Sequence, residues 1–546
     1  MQVWSHNYNP FDNLWLSAFV ALIPIIFFFI ALAGFRLKGH VAGALTMMVS
    51  IAVAVIAFGM PVNKAFMSAI HGFLYGLWPI SWIIISTVFL YKLSVKSGKF
   101  EVIRHSILSI TNDMRLQVLL ISFSFGAFLE GAAGFGTPVA ICAAILVGLG
   151  FKPLYAAALC LIANTAPVAY GALGVPILVA GQVTGLSAFE IGAMTGRQLP
   201  ILSLLVPFLL IFILDGFKGI KEVWPAAIVA GISFGLAQYI TANFIGPELP
   251  NITASFTGIV SLIILCRFWT PKNIMTPEGK VAAKDYVVSL TKPSLSVTAQ
   301  FHAWSPFLLL TLMVTLWSTD FFKELISSMN FVLNLPSLTD SIYRVAPLVN
   351  ENTLIDIVFK FNPIGETGTA ILISALVSMF ILRVSILDAI KAYIDTLKEL
   401  QFAVLSIGMV LGFAFVMNYS GMSGTLALIL ASTGIFFPFF SPFLGWLGVF
   451  LTGSDTTSNA LFGSLQASTA NQLGLDPVLM NAANTSGGGS GKMISPQSIA
   501  IACAATGLVG RESELFRFTL KYSLFFATLF GILTMLQSYV FTWMLI

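Results

Sequence analysis

A single glutamate stands beside a run of glycines in an apolar part of the chain. Glu130 belongs to the segment "FLEGAAGFGTP" and is followed by Gly131, Gly134 and Gly136. At bilayer depth an ionised carboxylate costs about 2.5 to 3.5 kcal/mol on insertion scales, and desolvation favours its protonated form. Glu130 is therefore a candidate proton carrier. The alternative is an ionised carboxylate at a helix start that accepts backbone N–H bonds from the glycine-rich turn.

This segment has a counterpart later in the chain. "FLEG" at Phe128 is followed by an Ala-Asn-Thr triplet at Asn164, and "FLTG" at Phe450 is followed by the same triplet at Asn484. In both copies a proline stands 12 residues after the asparagine. The shared order indicates an internal duplication. Transporters are often built from such repeats, with the substrate site where their broken helices meet.

Both copies are rich in glycine, proline and small polar residues. Such backbone leaves amide groups without helical partners, so at membrane depth it survives only inside protein or beside a watered cavity. Asn and Thr donate hydrogen bonds to carboxylates, and helix ends add N–H groups and a positive dipole end, which suits an anionic substrate. The predicted ligands are Gly136, Thr137, Asn164, Thr165, Asn484, Thr485, Ser486 and Lys492. The alternative is helix packing alone, with small residues at close contacts and buried Asn or Thr joining helices.

The composition indicates which elements position these residues. The chain has 57% hydrophobic and 9% charged residues, against about 25% charged residues in an average soluble domain. Repeated apolar windows of about 20 residues fit membrane helices. We therefore expect an all-α, polytopic protein of the lipid bilayer with about 12 to 14 transmembrane helices, including broken helices and re-entrant hairpins. The first apolar segment, from Leu14 to Phe35, is long enough to remain as a helix instead of a cleaved leader.

Lysine and arginine positions orient the chain in the membrane. Arg36 and Lys38 follow the first apolar segment, and a basic cluster that begins at Lys92 follows the third. The positive-inside rule assigns these residues to the cytoplasm and the N-terminus to the opposite side. The polar stretch that begins at Arg267 is expected to be a cytoplasmic hinge or tether. The predicted units are a first membrane half (1–266), a linker (267–303) and a second membrane half (304–546).

Several function classes are not indicated. The net charge of +4 is too small to indicate a nucleic-acid partner. The cysteines have no short paired spacing, which indicates neither a disulfide framework nor a zinc site, and no metal or cofactor is expected. They are Cys142, Cys160, Cys266 and Cys503. A membrane-embedded enzyme is not indicated because HExxH motifs, nucleotide-loop motifs and clustered histidine ligands are absent from the sequence. A channel stays an alternative that saturable uptake with counterflow would exclude.

Long segments of the chain resemble one transporter family. "GAFLEGAAGFGTPVAI", "GFKPLYAAALCLIANTAPVAYGALGVPILVAGQVTG" and "NTSGGGSGKMISPQSIA" closely resemble the bacterial lactate permease family, and the resemblance covers essentially the whole chain. It implies inner-membrane uptake of L-lactate, and often of D-lactate and glycolate, together with a proton. The paired triplets are also similar to Ser-Asn-Thr signatures of dicarboxylate carriers in the wider ion transporter superfamily. Their hairpin tips hold the substrate carboxylate and their transport domain moves like an elevator; here Ala163 and Ala483 replace the serines.

Three charged residues have competing interpretations. Lys492 directly follows "SGGGSG", where its ammonium group could attract lactate or balance a nearby acid. Asp455 in "TGSDTTSN" either titrates, as a second proton-coupling residue beside Glu130, or caps a helix. Arg197 in "GRQLP" either pairs with the substrate carboxylate or is a structural cation at the end of a span.

Other polar residues are expected to be structural. His71 and His302 lie near apolar runs and are predicted to be packed or interfacial, not proton relays. Glu366 in "NPIGETGTA" is predicted to be a helix-start carboxylate that needs no function.

The leading hypothesis is a proton-coupled carrier of L-lactate and similar monocarboxylates. In it, Asn164 and Asn484 donate to the lactate carboxylate from opposite broken helices. The second hypothesis is a sodium-coupled dicarboxylate carrier, which a sodium dependence of uptake would distinguish. The sequence leaves the oligomeric state open, and a homo-oligomer is compatible with it.

Overall fold

The computed structural model describes residues 3–134, 136–282, 296–325, 330–349 and 351–546. The helices before the predicted linker are α1 (Leu14–Phe29), α2 (Gly39–Ile56), α3 (Val62–Tyr75), α4 (Trp82–Lys96), α5 (Lys99–Leu108), α6 (Met114–Val118), α7 (Gly126–Ala132), α8 (Thr137–Gly148), α9 (Pro153–Ala163), α10 (Gly171–Thr184), α11 (Ala188–Phe244) and α12 (Pro250–Phe268).

The helices after it are α13 (Val297–Ser318), α14 (Asp320–Leu325), α15 (Thr367–Ile381), α16 (Ile386–Tyr419), α17 (Met422–Leu430), α18 (Phe437–Thr452), α19 (Asp455–Leu473), α20 (Pro477–Lys492), α21 (Pro496–Thr506) and α22 (Glu512–Tyr539). The short strands are β1 (Trp4–Ser5), β2 (Asn273–Thr276), β3 (Gly279–Ala282), β4 (Phe331–Asn334), β5 (Ile342–Arg344), β6 (Thr353–Leu354) and β7 (Val358–Phe361).

The predicted class, an all-α polytopic membrane protein, is confirmed. Within the described residues, 10 helical segments are long and apolar enough to cross a membrane, or 11 if the bent pair α9–α10 is one span. One of these segments, α11, has 57 residues and contains a break at Gly216, where φ is 61°. An unbroken helix of that length would extend about 86 Å, almost three bilayer cores, so α11 supplies two passes. One additional pass raises the count of 10 or 11 membrane passes to 11 or 12, which approaches the predicted 12 to 14.

The strands mark the two faces of the helical bundle. β1 pairs in parallel with β5, and β5 pairs with β6, so the N-terminal segment and the strands of residues 331–361 lie together on what we name the strand face. β2 and β3 form an antiparallel hairpin after α12. The 19 residues of α12 extend about 28 Å, enough to cross the hydrocarbon core. We name the face that carries β2 and β3 the linker face.

A helical hairpin formed by α6, α7 and α8 enters the bundle from the linker face. At its start, the Arg115 guanidinium group donates to the carbonyl of Asn273 in β2, at 2.7 Å. At its end, Gly150 packs against Pro277 between β2 and β3. Both arms therefore begin at one face, and the turn between α7 and α8 lies inside the protein. Gly136 at this turn has φ of 84°, a conformation that a side chain disfavours.

A second hairpin, formed by α18 and α19, enters from the strand face. The Gln472 side chain near the end of α19 donates to the carbonyl of Pro347, just after β5, at 2.9 Å. The turn between α18 and α19 holds Gly453, with φ of 72°. The first turn directly follows "FLEG" and the second begins at the glycine of "FLTG", and the hairpins that contain them enter from opposite faces. The predicted re-entrant hairpins are thus present at the repeated motifs.

Each hairpin is followed by a broken helix. α9 and α10 are bent by 67° at the first Ala-Asn-Thr triplet. The second break lies later than the glycine-rich sequence suggested, because α20 continues through Asn484 and the glycine run to Lys492 and breaks only before α21. The glycines allow close helix contact instead. A Cβ atom at Gly487 would meet the backbone carbonyl of Pro442 in α18, and one at Gly491 would meet that of Trp446.

This contact yields a prediction about stability. We expect Gly491→Ala to destabilise the protein by about 1 to 3 kcal/mol, because the added methyl group would overlap the backbone of α18 and force the helices apart. Thermal unfolding of the purified protein in detergent measures the effect. Gly148→Ala at the end of α8 is the matched control, since no atom lies within 4 Å of its added Cβ. Equal melting temperatures for the two variants would contradict the close-packing role.

A partly buried ionic cluster attaches the start of the predicted linker to the first half. Lys280 in β3 pairs with Asp215 and Glu222, which flank the break in α11, at 2.8 and 2.9 Å. Arg115 at the start of α6 pairs with Asp113 at 2.7 Å and is fully buried. This part of the predicted linker is therefore a hairpin that is docked on the first half. Residues 283–295 of the predicted linker lie outside the described residues, and α13 begins at Val297.

Candidate substrate and proton site

A cavity of about 360 Å³ lies where the two hairpin turns and the two broken helices meet. Its opposite wall consists of α1, the start of α2, and α16. The residues from the hairpins and broken helices that line it are Glu130, Gly134, Gly136, Val168, Gly171, Ala172, Val175, Pro176, Thr452, Gly453, Ser454, Asp455, Thr456, Thr457, Lys492, Gln497, Ser498 and Ile501. Both predicted repeat copies thus contribute to one space, as the duplication indicated.

The N-terminal ends of four helices line this cavity. They belong to α8, whose N-cap is Gly136, to α10, to α19 and to α21. Helix N-termini present N–H groups without intrahelical partners and carry a partial positive charge, so they favour anions. The arrangement follows from the two breaks and two turns, because each of them starts a new helix inside the protein. The cavity is therefore suited to a small anion.

The cavity contains an ion pair between the two halves. The Lys492 ammonium nitrogen lies 2.7 Å from the Glu130 Oε1 atom, and the side chains are 12% and 3% exposed. The other oxygen, Oε2, is buried and has no hydrogen-bond partner in the described part of the chain. Glu130 lies in the last turn of α7, so the alternative of a helix-start cap is wrong. Of the two interpretations of Lys492, the balance of a nearby acid is confirmed.

Asp455 is the second acid of the cavity. It is the first residue of α19, but the N-cap is Ser454, whose hydroxyl oxygen accepts from the Thr457 N–H at 3.2 Å. Both Asp455 carboxylate oxygens are buried and have no hydrogen-bond partner among the described residues, and one of them packs closely against Gly488. The capping interpretation of Asp455 is therefore wrong, and the carboxyl group is free for another role.

The second Ala-Asn-Thr triplet is hydrogen-bonded within the protein. Asn484 and Thr485 both donate to the side-chain oxygen of Asn459 in α19, at 2.8 and 3.0 Å. The Asn484 oxygen accepts from Gln466 at 3.1 Å. The Asn459 amide nitrogen donates in turn to the carbonyl of Pro176 in α10, at 2.9 Å. These residues therefore join the two broken helices behind the cavity and do not line it.

The first triplet differs from the second. Asn164 and Thr165 lie in the bend between α9 and α10 and are buried. Neither amide atom of Asn164 nor the Thr165 hydroxyl has a hydrogen-bond partner within the described ranges. Their side chains are not part of the cavity lining, but Val168, three residues after Thr165, is. Unsatisfied buried polar groups of this kind are costly, so they are candidates for a ligand contact.

Two further predicted ligands lie away from the cavity. Ser486 donates to the side-chain oxygen of Gln198 in α11, at 2.7 Å. Thr137 lines a different cavity of about 490 Å³, together with Lys92 and Glu399, which form an ion pair at 2.6 Å. Of the predicted ligands, the structure thus brings Gly136 and Lys492 together with Glu130 and Asp455.

Arg197 and His302 have structural partners. The Arg197 guanidinium group donates to the backbone carbonyls of Met544 and Leu545, at 2.7 and 2.6 Å, so it holds the C-terminal segment and is not at the cavity. His302 Nε2 lies 2.7 Å from the carbonyl of Ile381, as expected of a packed histidine.

Sequence reasoning did not select several polar residues of the cavity. Thr456 and Thr457 lie in the first turn of α19, and Gln497 and Ser498 lie in the first turn of α21. The sequence could have indicated them, because the first pair follows Gly453 and the second pair follows Pro496, and both of these residues interrupt helices. Polar residues in the first turn after a helix break at membrane depth are therefore better indicators of the site than the two Ala-Asn-Thr triplets.

The comparisons with known proteins identify the family of the chain. The profile of the L-lactate permease family matches residues 17–541. The chain is 61% identical to the glycolate permease GlcA of Escherichia coli K12 and 56% identical to the L-lactate permease of the same strain, with full coverage of each pair. It is 50% identical to the L-lactate permease of Bacillus subtilis, over 99% of this chain and 100% of that protein. With its many apolar helices, the chain is a multi-pass membrane protein and belongs to the L-lactate permease family.

Proposed function

We propose that the chain takes up L-lactate, D-lactate and glycolate by proton symport across the bacterial inner membrane. The observation that carries this proposal is the Glu130–Lys492 ion pair at a cavity lined by four helix N-termini. One ammonium group and several helix ends match one carboxylate and its hydroxyl group. The names of the relatives, a glycolate permease and L-lactate permeases, support the same substrates.

Exchange of ion-pair partners would couple the proton to the substrate. The charged side chains among the described residues of the lining are Glu130, Asp455 and Lys492. When the lactate carboxylate binds Lys492, Glu130 loses its partner, and a buried carboxylate without a partner is costly. Glu130 then accepts a proton, so that one anion and one proton move together. Asp455, which lacks a partner within the described chain, is the second proposed proton-coupling residue.

The neutral hydrogen-bonding groups have proposed roles as well. Thr456, Thr457 and Ser498 line the cavity beside the charged residues and would bind the 2-hydroxyl group. Asn164 stays a proposed ligand because its buried amide has no partner in the described structure. Asn484 supports the site through Asn459 in this conformation.

The hairpins also support an elevator-type mechanism and the proposed division into halves 1–266 and 304–546. They enter from opposite faces, as inverted repeats do in secondary transporters. In this proposal the hairpins and broken helices move together against α1, α2 and α16. The linker face, which carries the basic segments, is cytoplasmic, and the strand face with the N-terminus is periplasmic.

Uptake by the purified protein in liposomes tests the proposed function. One pH unit corresponds to about 1.4 kcal/mol, so an inward proton gradient of that size should drive about tenfold accumulation of lactate. A membrane potential at equal pH should have little direct effect, because the sum of one lactate and one proton is neutral. Strict sodium dependence with competition by dicarboxylates would support the second hypothesis instead. Uptake driven by potential alone would contradict proton symport.

A further inference from the structure

Two connected cavities lie at the strand face. The larger has a volume of about 590 Å³ and the smaller about 200 Å³. They share the lining residues Val183, Thr184, Leu186, Arg344, Asn418 and Tyr419. Arg344 lines both cavities. It lies on strand β5 and pairs with Thr353 of β6, and β1 pairs with the other edge of β5. We name the two cavities together the outer vestibule.

The outer vestibule lies on the same two helices as the central cavity. The first part of α10, through Pro176, lines the central cavity, and Leu178 to Thr184 line the vestibule. In α16, residues through Val410 line the central cavity, and Phe415 to Tyr419 line the vestibule. One residue of α10, Ile177, and about one turn of α16 separate the two spaces. Ile177, and Leu411 and Phe413 in the turn of α16, are buried. The vestibule is therefore the strand-face end of the same path.

The smaller cavity has the chemistry of an anion site. Among the described residues of its lining, Arg344 is the cation and a carboxylate is absent. The Arg344 side chain forms no ion pair or hydrogen bond within the described chain, although its strand is fixed. Ser468 and Asn471 present a hydroxyl and an amide group to the same space. Burial, followed by the nearby Arg344 charge, lowers the pKa of His6 to about 3, so this neighbour is neutral.

The larger cavity differs from the smaller one in the charged residues of its lining. It contains Lys360 and the acids Glu248, Asp356 and Glu366, in addition to Arg344. Glu366 is the N-cap residue of α15, as expected, but its side chain forms no capping bond. Burial, followed by the charge of Glu248, raises the pKa of Glu366 to about 7. His71 is buried and packs against Tyr419 there, which confirms its expected packing role. The smaller cavity, whose described lining has Arg344 and no carboxylate, is therefore more favourable for a small anion than the larger one.

We propose that the smaller cavity is an external capture site for small 2-hydroxy monocarboxylates, with Arg344 pairing with the carboxylate group. Neighbouring hydroxyl and amide groups would bind the 2-hydroxyl group. The substrate class rests on the proposed function, but the site itself rests on the cation, the volume and the position of this cavity. Substrate would stay bound here until the buried residues of α10 and α16 between the outer vestibule and the central cavity move apart.

Equilibrium binding of radiolabelled L-lactate to the purified full chain at low ionic strength tests the capture site. We expect two sites in the parent protein, and one in Arg344→Gln, because loss of a charge-assisted contact weakens affinity about tenfold or more. Arg344→Lys should keep two sites. Lys360→Gln is the matched control, since it removes a cation that lines only the larger cavity. Melting temperatures confirm that the variants are folded.

The transport assay adds a second readout. In intact cells, Arg344→Gln should raise the KM for external lactate about tenfold or more without lowering the maximal rate, whereas Lys360→Gln should behave like the parent. A single parent site that is lost in Lys492→Gln and unaffected by Arg344→Gln would overturn the capture site and leave the proposed function standing. A parent protein that binds no lactate at all would overturn both. Parent-like KM in Arg344→Gln would also overturn the capture site.

Discussion

Lys492→Gln is expected to abolish saturable L-lactate uptake. Among the described residues that line the central cavity, Lys492 is the only cation, and without it Glu130 and Asp455 would repel an anionic substrate. Helix N-termini carry only partial charges and supply no ammonium group that could form an ion pair with the substrate carboxylate. Initial rates of lactate uptake by the purified variant in liposomes measure the effect, and we expect at least a hundredfold decrease.

A paired substitution separates this role from a structural one. Lys492→Gln leaves Glu130 buried without a partner, which typically destabilises a protein by about 3 to 5 kcal/mol. In the double variant Glu130→Gln/Lys492→Gln both charges are removed, so the melting temperature should return toward that of the parent. Transport should not return, because the substrate still lacks its cation. A double variant that transports lactate at the parent rate would reduce Lys492 to a structural residue.

Glu130→Gln is expected to separate proton movement from lactate movement. The amide keeps the shape of the side chain and can still accept a hydrogen bond from Lys492, but it cannot carry a proton. We expect loss of the roughly tenfold accumulation that one pH unit drives, while exchange of internal for external lactate continues. Measurements of accumulation and counterflow on the same liposomes distinguish the two activities.

The control for Glu130→Gln is Glu101→Gln. Glu101 forms an exposed ion pair with Arg104 on α5, far along the chain from the cavity residues, and its loss should change neither activity. If Glu130→Gln accumulates lactate against a pH gradient as well as the parent does, Glu130 is not the coupling residue. Asp455 would then be the remaining buried acid to test.

The membrane class, the duplication and three charged residues of the cavity could be predicted from the sequence. Glu130, Asp455 and Lys492 were identifiable because each is a charge beside glycine-rich or broken backbone in an apolar region, where such a residue is costly. Their arrangement could not be predicted. The contact between Glu130 and Lys492 joins residues 362 positions apart, and it depends on how two hairpins from opposite faces meet.

The role of the second triplet could not be predicted for a related reason. The identical letters at Asn164 and Asn484 suggested identical roles, but one lies in a bend and the other inside a continuous helix. A glycine run is compatible with both unwound backbone and close helix contact, and only the neighbouring helix decides between them. At Gly487 and Gly491 that neighbour is the backbone of α18, which local sequence does not reveal.

The hydrogen bonds of Asn459 have a mechanical consequence. One amide group binds Pro176 of the first half and Asn484 and Thr485 of the second, so the two broken helices cannot separate without leaving the Asn459 amide nitrogen and the Pro176 carbonyl unpaired. This bond links the two halves of the cavity, as the proposed elevator-type movement of hairpins and broken helices together requires. The wall that it faces, on α1, α2 and α16, presents mainly apolar or small side chains to the cavity. Such a surface offers few polar groups that would lose hydrogen bonds, so the proposed movement of the hairpins and broken helices along it would cost little free energy.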